Sequence, residues 1–499
     1  TSLIFKALTH LAMARFSYMR ESSISIRLLS GYLGRPYSFF LNRHSADLGK
    51  SVLSEVQQVI TSILIPAMNL IAQGIVATFI VALVVAVDPV VAVIAVLSLS
   101  GLYGLIYVAL RRYIGRLGVE RMEANLQRYQ IAQEALGGIK DVKVLGMESG
   151  YIRGYADPAN RFAQVQSTYK VISQVPRFAL EALVFGGMLL LLLILLATEE
   201  GELSSVLPII VLYAFAGTRL MPALQLIYDA LTKLRFGQPA LEALYSDLLE
   251  TEQLGVATTA RVSTENHNVL PLKVSIALDN IVYSYPQANE PTLNNLSLII
   301  PALSTVGFVG STGAGKTTVV DLILGLLDPQ QGHLKIDDQL VSSKRLRAWQ
   351  RNIGYVPQSI FLTDDTVAAN IAFGVPPEEI DHTAVEKAAR IAELHDFVSN
   401  KMPKGYNSLV GERGVRLSGG QRQRIGIARA MYHDPDVLVL DEATNALDNL
   451  TEKAVMDAVH NLAHRKTIIL IAHRLSTVRE CDQIYMLDNG GLEAPGAYK

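Results

Sequence analysis

The residues with the clearest chemical pattern form a complete phosphate loop, G-x-x-x-x-G-K-T, from Gly310 to Thr317. The apolar residues 306–309 before it predict a buried strand, and residues 317–327 after it predict a helix. Glycines let backbone N–H groups converge on phosphate oxygens, and the helix adds its positive N-terminal end. Lys316 is predicted to reach the β- and γ-phosphates, and the Thr317 hydroxyl to bind Mg²⁺. The predicted nucleotide-binding residues of the loop are Gly310, Ser311, Thr312, Gly313, Ala314, Gly315, Lys316, Thr317 and Thr318.

A second pattern is an apolar strand, residues 437–440, that ends in the carboxylates Asp441 and Glu442. Such runs are typical of parallel strands buried on both faces, whose carboxyl ends carry ligand sites. Asp441 suits Mg²⁺, directly or through water, because a hard cation takes oxygen ligands. Glu442 is predicted to orient and deprotonate a water in line with the γ-phosphate. Alone, a strand ending in Asp-Glu more often serves capping or a salt bridge, but after a phosphate loop catalysis is favoured.

A third pattern is the segment Ser418, Gly419, Gly420 and Gln421, which precedes a helical pattern at residues 422–432. A serine cap followed by unobstructed glycine amides at a helix start predicts a second anion site. If both anion sites faced one phosphate within a monomer, no second subunit would be needed.

The first half of the 499-residue chain is too apolar for a soluble enzyme. Half of all residues are hydrophobic, mean hydropathy is +0.28, and between residues 51 and 110 only Glu55 and Asp88 are charged. Crossing a membrane takes about 20 residues. One such segment could be a buried core helix, but four cannot share one soluble core. We therefore predict four complete spans near residues 58–86, 89–110, 175–197 and 203–228, with Asp88 and Pro89 dividing the first two.

The loops predict the orientation of these spans. Residues 111–173 carry ten Lys and Arg and are predicted to be cytoplasmic, whereas the acidic residues 199–202 fit the outside. The nucleotide domain needs cytosolic ATP, which gives the same orientation and predicts location in the inner (plasma) membrane. A net charge of −2 says little about partners, and the single cysteine, Cys481, excludes an intrachain disulfide.

The predicted fold is an α-helical polytopic membrane domain followed by an α/β P-loop NTPase domain. We assign residues 1–236 to the membrane domain, the mixed polar residues 237–270 to a linker, and residues 271–499 to the nucleotide domain. Residues 1–19 are short for a span and lack an initiating Met, so we expect the sequence to be a fragment.

Residues 272–499 resemble the nucleotide-binding domain of an ATP-binding cassette (ABC) transporter, and residues 1–236 resemble its exporter-type membrane domain. The resemblance implies that Tyr285 stacks on adenine, that Gln358 contacts Mg²⁺, and that His473 contacts the γ-phosphate. Alone, this tyrosine would be strand packing and this histidine would more often be structural. The implied cofactors are ATP and Mg²⁺. The implied catalytic residues are Glu442, His473 and Lys316, and the implied metal ligands are Thr317, Gln358 and Asp441.

The resemblance also implies a dimer, because in this family the signature of one subunit, here residues 417–421, closes on the phosphate loop of another. One nucleotide domain per chain then implies a two-fold homodimer, with a heterodimer with a paralogue left open. Residues 445–448, Asn-Ala-Leu-Asp, depart from the family's usual Ser-Ala-Leu-Asp, which bears on fine contacts between subunits. Residues 1–19 resemble part of the second of the family's six membrane helices. Residues 43–50 and 138–148 resemble the coupling helices that rest on the nucleotide domains.

Three functions compete. An ATP-driven exporter or flippase needs both halves of this chain. A soluble ATPase of the same superfamily acting on DNA ends or repair would lack spans and show long heptads. A channel or receptor merely regulated by ATP would be favoured by a degenerate signature, Glu442 or His473, and all are intact. We therefore predict an ATPase coupled to transport, with no nucleic-acid partner.

The arginines of the spans bear on the substrate. Arg177 lies at the cytoplasmic start of one span, where snorkelling to the interface explains it equally well. Arg219 lies inside another span between apolar residues, which favours a role in the transport cavity, and Lys6 is a weaker third candidate. The segments around both arginines resemble those of flippases for lipid-linked oligosaccharides. Dimerisation would double each arginine and suit phosphate groups, so we predict flipping of a lipid-diphosphate oligosaccharide; the alternative is a multidrug, phospholipid or peptide exporter.

Overall fold

The structure is a computed structural model, which describes residues 2–87, 89–198, 203–253, 269–286, 288–442, 449–471 and 478–496. The chain divides into two compact units. The first comprises residues 1–35 and 39–262, and the second comprises residues 36–38 and 263–499.

The described part of the first unit consists of helices joined by short turns. The helices are α1 (Ser2–Leu33), α2 (Tyr37–Leu41), α3 (Ser45–Lys50), α4 (Val56–Val59), α5 (Ile65–Val87), α6 (Pro89–Gly137), α7 (Ile139–Leu145), α8 (Glu148–Thr198) and α9 (Leu203–Gln253), where the first two residues of α2 are assigned to the second unit. Two π-helical turns, Ser51–Glu55 and Ile60–Leu64, connect α3, α4 and α5 into one helical stretch. Helix α6 begins at Pro89, where the missing N–H costs no helical hydrogen bond, so the chain divides at the predicted position.

These helices are longer than the predicted membrane spans. Most of residues 111–173, predicted as a loop, are helical, because α6 continues to Gly137 and α8 begins at Glu148. Charged residues end an apolar span but not a helix, since Arg, Lys and Glu are good helix formers. Among the described residues one helix, Ser45–Ala86, is long and apolar enough to cross a membrane by length and composition. The other three predicted spans include side chains outside the described part of the chain.

Helix α9 extends past the predicted end of the membrane domain. Residues 237–253, which we predict as the start of the linker, continue this helix in the structure. Ala240 and Leu244, four residues apart on α9, are buried against Leu28 of α1. One apolar helix face is enough to keep α9 packed and helical beyond residue 236, and the linker at residues 237–270 stays a prediction.

A buried ion pair joins two helical stretches of the first unit. Arg121 Nη2 lies 2.5 Å from Glu55 Oε2, and the two side chains are only 3% and 4% exposed. Asn125 Nδ2 donates to Ser54 Oγ at 3.0 Å beside this pair. Glu55 ends the first π-helical turn, so the irregular part of the helix carries the buried charge.

The second unit contains two sheets. The strands are β1 (Ser275–Tyr283), β2 (Leu293–Pro301), β3 (Thr305–Gly310), β4 (Gln331–Ile336), β5 (Gln339–Leu340), β6 (Ile353–Val356), β7 (Val437–Asp441), β8 (Thr467–Ile471), β9 (Gln483–Asp488) and β10 (Gly491–Gly496). A four-stranded antiparallel sheet has the order β2-β1-β4-β5, and a six-stranded sheet has the order β10-β9-β3-β8-β7-β6. The larger sheet is parallel except for the β9–β10 hairpin, which confirms the predicted mostly parallel sheet.

The helices of the second unit pack on the larger sheet. They are α10 (Lys316–Ile323), α11 (Ser343–Gln350), α12 (Val367–Ile371), α13 (His382–Ile391), α14 (His395–Lys401), α15 (Gly419–Met431) and α16 (Asn449–His460), with 3₁₀ turns at Pro377–Glu379, Gly405–Asn407 and Glu412–Gly414. The apolar interior of this unit forms two cores. One core packs β1, β2 and β3 against α10, and the other packs α12, α13 and α15 against β7. Every residue of β7 and β8 is buried, as expected for central parallel strands.

Candidate functional site

The phosphate loop lies between β3 and α10, as its strand–loop–helix context predicts. Gly310 has φ +152° and Gly315 has φ +99°. A Cβ at Gly310 would lie 2.2 Å from the Leu487 carbonyl oxygen, and one at Gly315 would lie 2.7 Å from Leu293 Cδ2. Both positions therefore require glycine, because backbone and core leave no room for a side chain.

Lys316 folds back over the loop that precedes it. Its Nζ donates to the carbonyl oxygens of Gly310 at 2.9 Å and Ser311 at 2.8 Å, and the residue is 6% exposed. The Lys316 ammonium group is thus held against the backbone at the start of the phosphate loop. An ammonium held by two neutral carbonyls is available to a charged phosphate oxygen, which makes the stronger hydrogen bond.

Tyr285 follows β1 and contacts the helix that the phosphate loop opens. Its hydroxyl lies 3.1 Å from Thr318 Oγ1, and its ring packs edge-to-face on Tyr283 at 5.1 Å between centroids. Burial raises the pKa of the Tyr285 hydroxyl, so it stays protonated near neutral pH. The structure therefore brings Tyr285 and Thr318 together with the phosphate loop, while the stacking of Tyr285 on adenine stays a prediction.

The predicted metal ligand and base stand at the end of β7. Asp441 is its last residue and is buried, and Glu442 follows with φ +49°, a left-handed backbone. The Glu442 N–H donates to the Ile471 carbonyl oxygen at 3.1 Å, which fixes the turn. Gln358, two residues beyond the neighbouring strand β6, donates from Nε2 to Glu442 Oε2 at 2.6 Å. The side chain of the predicted base is thus oriented by the glutamine predicted to bind Mg²⁺.

Two further groups near Asp441 were missed by sequence reasoning. Burial and the nearby Asp441 raise the pKa of Asp321 to about 6. Burial, together with Asp441 and Asp321, raises the pKa of Tyr355 on β6. The sequence signal for both was their position: Asp321 lies on α10, five residues after Lys316, and Tyr355 lies on β6, three residues before Gln358. Asp441 therefore sits in a buried acidic environment, where a cation would be stabilised.

The signature forms the N-terminus of α15. Ser418 Oγ accepts from Gln421 N at 3.2 Å, and Gln421 Oε1 accepts from Ser418 N at 2.8 Å, a complete capping box. This confirms the predicted serine cap. Gly419 and Gly420 form the first turn of α15, and Ser418 is exposed. In the described part of the chain no hydrogen bond joins residues 417–421 to the phosphate loop. The binding of an anion at this helix start stays a prediction.

Three predicted site residues cannot be placed in this geometry. His473 lies outside the described residues, as do residues 445–448. Arg177 falls within α8 and Arg219 within α9, but their side chains lie outside the described part of the chain.

Comparisons with known families cover both units. Residues 4–220 match the ABC transporter transmembrane region, and residues 293–445 match the ABC transporter family. An ATP-dependent lipid A-core flippase of Saccharophagus degradans is 31% identical over 473 residues, covering 95% of this chain and 78% of the relative. A flippase of the same name from Cupriavidus metallidurans is 30% identical over 95% of this chain and 78% of its own.

A solved structure has the same fold along nearly the whole chain. It is described as a bacterial Atm1-family ABC exporter with ATP bound. The TM-score is 0.82 at 26% identity, with 99% of this chain and 85% of that chain covered.

Proposed function

Because the chain belongs to the ABC transporter family, as an exporter half-transporter, we propose that it flips a lipid-linked substrate outward. It is a membrane-embedded transporter with a cytosolic ATPase domain that binds ATP and couples hydrolysis to transport. We propose a lipid-diphosphate oligosaccharide as substrate and the inner membrane as location. The flippase names of the relatives support a lipid substrate.

The observation that carries the diphosphate proposal is Arg219 within the apolar stretch of α9. A guanidinium placed inside an apolar span costs about 2.5–3.5 kcal/mol on insertion scales, so an arginine at such a position usually has a functional role. A diphosphate offers bidentate partners, each charged hydrogen bond contributing about 1.5–3 kcal/mol. Arg177, nearer the cytoplasmic face on α8, would make the entry contact.

Mg²⁺ would be held by Thr317, Gln358 and Asp441, which offer the hydroxyl, amide and carboxylate oxygens that a hard cation prefers. The geometry supports this fit, because β6 and β7 are neighbouring parallel strands that bring Gln358 and Asp441 to the same edge of the sheet. When bound, the cation would neutralise charge on the phosphate oxygens. Lys316 would exchange its loop carbonyls for phosphate oxygens. Glu442, oriented by Gln358, would take the proton of the attacking water.

We propose a homodimer with two composite ATP sites. The support is one phosphate loop and one signature per chain, with an exposed, capped helix start at Ser418 that is free to meet a second subunit. Mixing Lys316→Ala chains with Ser418→Arg chains places both defects in one site of the heterodimer and leaves the other intact. Cross-linked mixtures should recover part of the wild-type ATPase rate. Lack of recovery in confirmed heterodimers would contradict independent composite sites.

The substrate is tested by ATPase stimulation in liposomes. An added lipid-diphosphate oligosaccharide should stimulate the ATPase rate of the wild-type protein. In Arg219→Ala this stimulation should be at least about tenfold smaller, as expected for the loss of one charged contact. Arg112→Ala, which removes an exposed arginine of α6, is the matched control and should respond like wild type. Stimulation by uncharged drugs alone would instead indicate the multidrug alternative.

A further inference from the structure

The short helix α2 needs help from its neighbours to keep its position. It has five residues and buries none of them, and a helix of this length is not stable by itself. Two guanidinium groups lie over the ring of Phe39 in α2, with Cζ of Arg35 at 4.6 Å and Cζ of Arg43 at 4.8 Å from the ring centroid. Cation–π contacts from Arg35, before α2, and from Arg43, after it, therefore hold α2 at Phe39.

Both arginines are paired with carboxylates on the last turns of α9. Arg35 Nη1 lies 3.0 Å from Glu250 Oε2, and Arg43 Nη1 lies 3.3 Å from Asp247 Oδ1. Two cations over one ring repel each other, and the two carboxylates offset that repulsion. Each arginine thus touches Phe39 on one side and α9 on the other.

The inner part of this cluster is well shielded from solvent. The Arg35 side chain is 6% exposed and that of Asp247 is 16% exposed, so their interactions are screened less than surface pairs. Tyr32 donates its hydroxyl to Asp247 Oδ2 at 2.6 Å, and burial with this hydrogen bond raises the pKa of the Tyr32 hydroxyl. A Cβ at Gly31 would lie 2.4 Å from Thr251 Cγ2, which shows how closely α1 approaches α9.

Helix α9 is the last helix that the structure describes before the ATPase domain, so the cluster lies near the connection between the two domains in the sequence. Helix α9 ends at Gln253, and the chain then runs through residues 254–268 to the ATPase domain. Any displacement of this end of α9 would be passed to α2 by Arg35 and Arg43, which contact both α9 and Phe39.

We propose that Tyr32, Arg35, Phe39, Arg43, Asp247 and Glu250 form a clamp that couples α2 to the end of α9 during ATP hydrolysis. These are positioning residues, since none of them belongs to the nucleotide site. The clamp concerns the coupling of ATP hydrolysis to helix movement for any substrate, and goes beyond the proposed lipid substrate.

The test is hydrogen exchange of the full chain in lipid nanodiscs, with no nucleotide and with ATP plus vanadate. In wild type, residues 35–44 and 245–253 should both change protection when the nucleotide is trapped. Phe39→Leu removes the ring but keeps an apolar side chain, and the change at residues 35–44 should fall about fivefold or more while 245–253 still respond. Phe39→Trp keeps a ring for both arginines and should behave like wild type.

Two further variants complete the design. Asp247→Asn removes one counter-charge and should give the Phe39→Leu result, which covers the case in which Phe39→Leu does not fold. Asp229→Asn is the matched control on α9, because Asp229 pairs with Lys233 of the same helix at 2.7 Å. A wild-type response at residues 35–44 in both Phe39→Leu and Asp247→Asn would overturn the clamp, as would equal loss in Phe39→Leu and Phe39→Trp. Because no transported substrate is used, failure of the lipid proposal would not affect this outcome.

Discussion

Replacing Glu442 by Gln should remove most ATP hydrolysis while leaving ATP binding in place. The change keeps the size of the side chain and removes its capacity to accept a proton. Gln358 Nε2 donates to Glu442 Oε2 at 2.6 Å, and a glutamine at 442 still offers an amide oxygen to that contact. The left-handed backbone at Glu442, with φ +49°, is equally strained for both side chains. The variant therefore isolates proton transfer from orientation.

The expected loss is about 10²- to 10⁴-fold in hydrolysis rate, or about 2.7–5.4 kcal/mol on the barrier, which is the usual contribution of a general base. Gln358→Ala would remove the orienting hydrogen bond, for which a bond to a charged group contributes about 1.5–3 kcal/mol, together with a proposed Mg²⁺ ligand. Glu442→Gln leaves that ligand in place, so its loss of rate reports the base alone.

The assay is phosphate release by the purified full chain with Mg²⁺, together with retention of labelled ATP. Glu379→Gln, an exposed carboxylate in the 3₁₀ turn Pro377–Glu379, serves as the matched control and should hydrolyse ATP like wild type. A Glu442→Gln rate within a few-fold of wild type would refute the assignment. Loss of ATP retention would show that Glu442 has a structural role.

Two more predictions rest on single contacts. Lys316→Ala removes the amine that lies 2.9 Å and 2.8 Å from the Gly310 and Ser311 carbonyl oxygens and should weaken ATP binding by at least about tenfold, as titration with a fluorescent nucleotide would show; an unchanged Kd would contradict this role. Glu55→Gln leaves Arg121 buried without its counter-charge and should lower the free energy of unfolding by about 3–5 kcal/mol, measured by the loss of helical circular dichroism in detergent. The double variant Glu55→Leu with Arg121→Met should recover most of that loss, and equal destabilisation of the single and double variants would contradict the reasoning.

The sequence predicts the phosphate loop with its flanking strand and helix, the buried strand before Asp441 and the break at Pro89, because each depends on local pattern alone. The glycines of the loop, the unbroken apolar run before Asp441 and the proline at residue 89 are local signals. In the structure they correspond to positive φ values, a buried strand and a helix start. The chain's membership of the exporter family confirms the predicted fold class and the predicted ATPase coupled to transport.

Other features depend on contacts between distant segments and carry no local signal. The hydrogen bond from Gln358 to Glu442 joins residues that are far apart in sequence, and so does the Arg121–Glu55 pair. The continuation of α9 beyond residue 236 depends on burial of Ala240 and Leu244 against α1, which composition does not show. The acidic surroundings of Asp441, with Asp321 from another element, likewise appear only in three dimensions.

ATP-driven flipping of a lipid diphosphate can be measured in proteoliposomes that contain a lipid-diphosphate oligosaccharide in the leaflet facing the ATPase domains. Loss of the glycan from that leaflet, followed with a lectin added outside, reports transfer across the bilayer. Wild-type protein with ATP and Mg²⁺ should transfer the lipid, and neither Glu442→Gln nor Arg219→Ala should do so. Wild-type protein that hydrolyses ATP without moving this lipid, or Arg219→Ala that moves it at the wild-type rate, would contradict the proposed function.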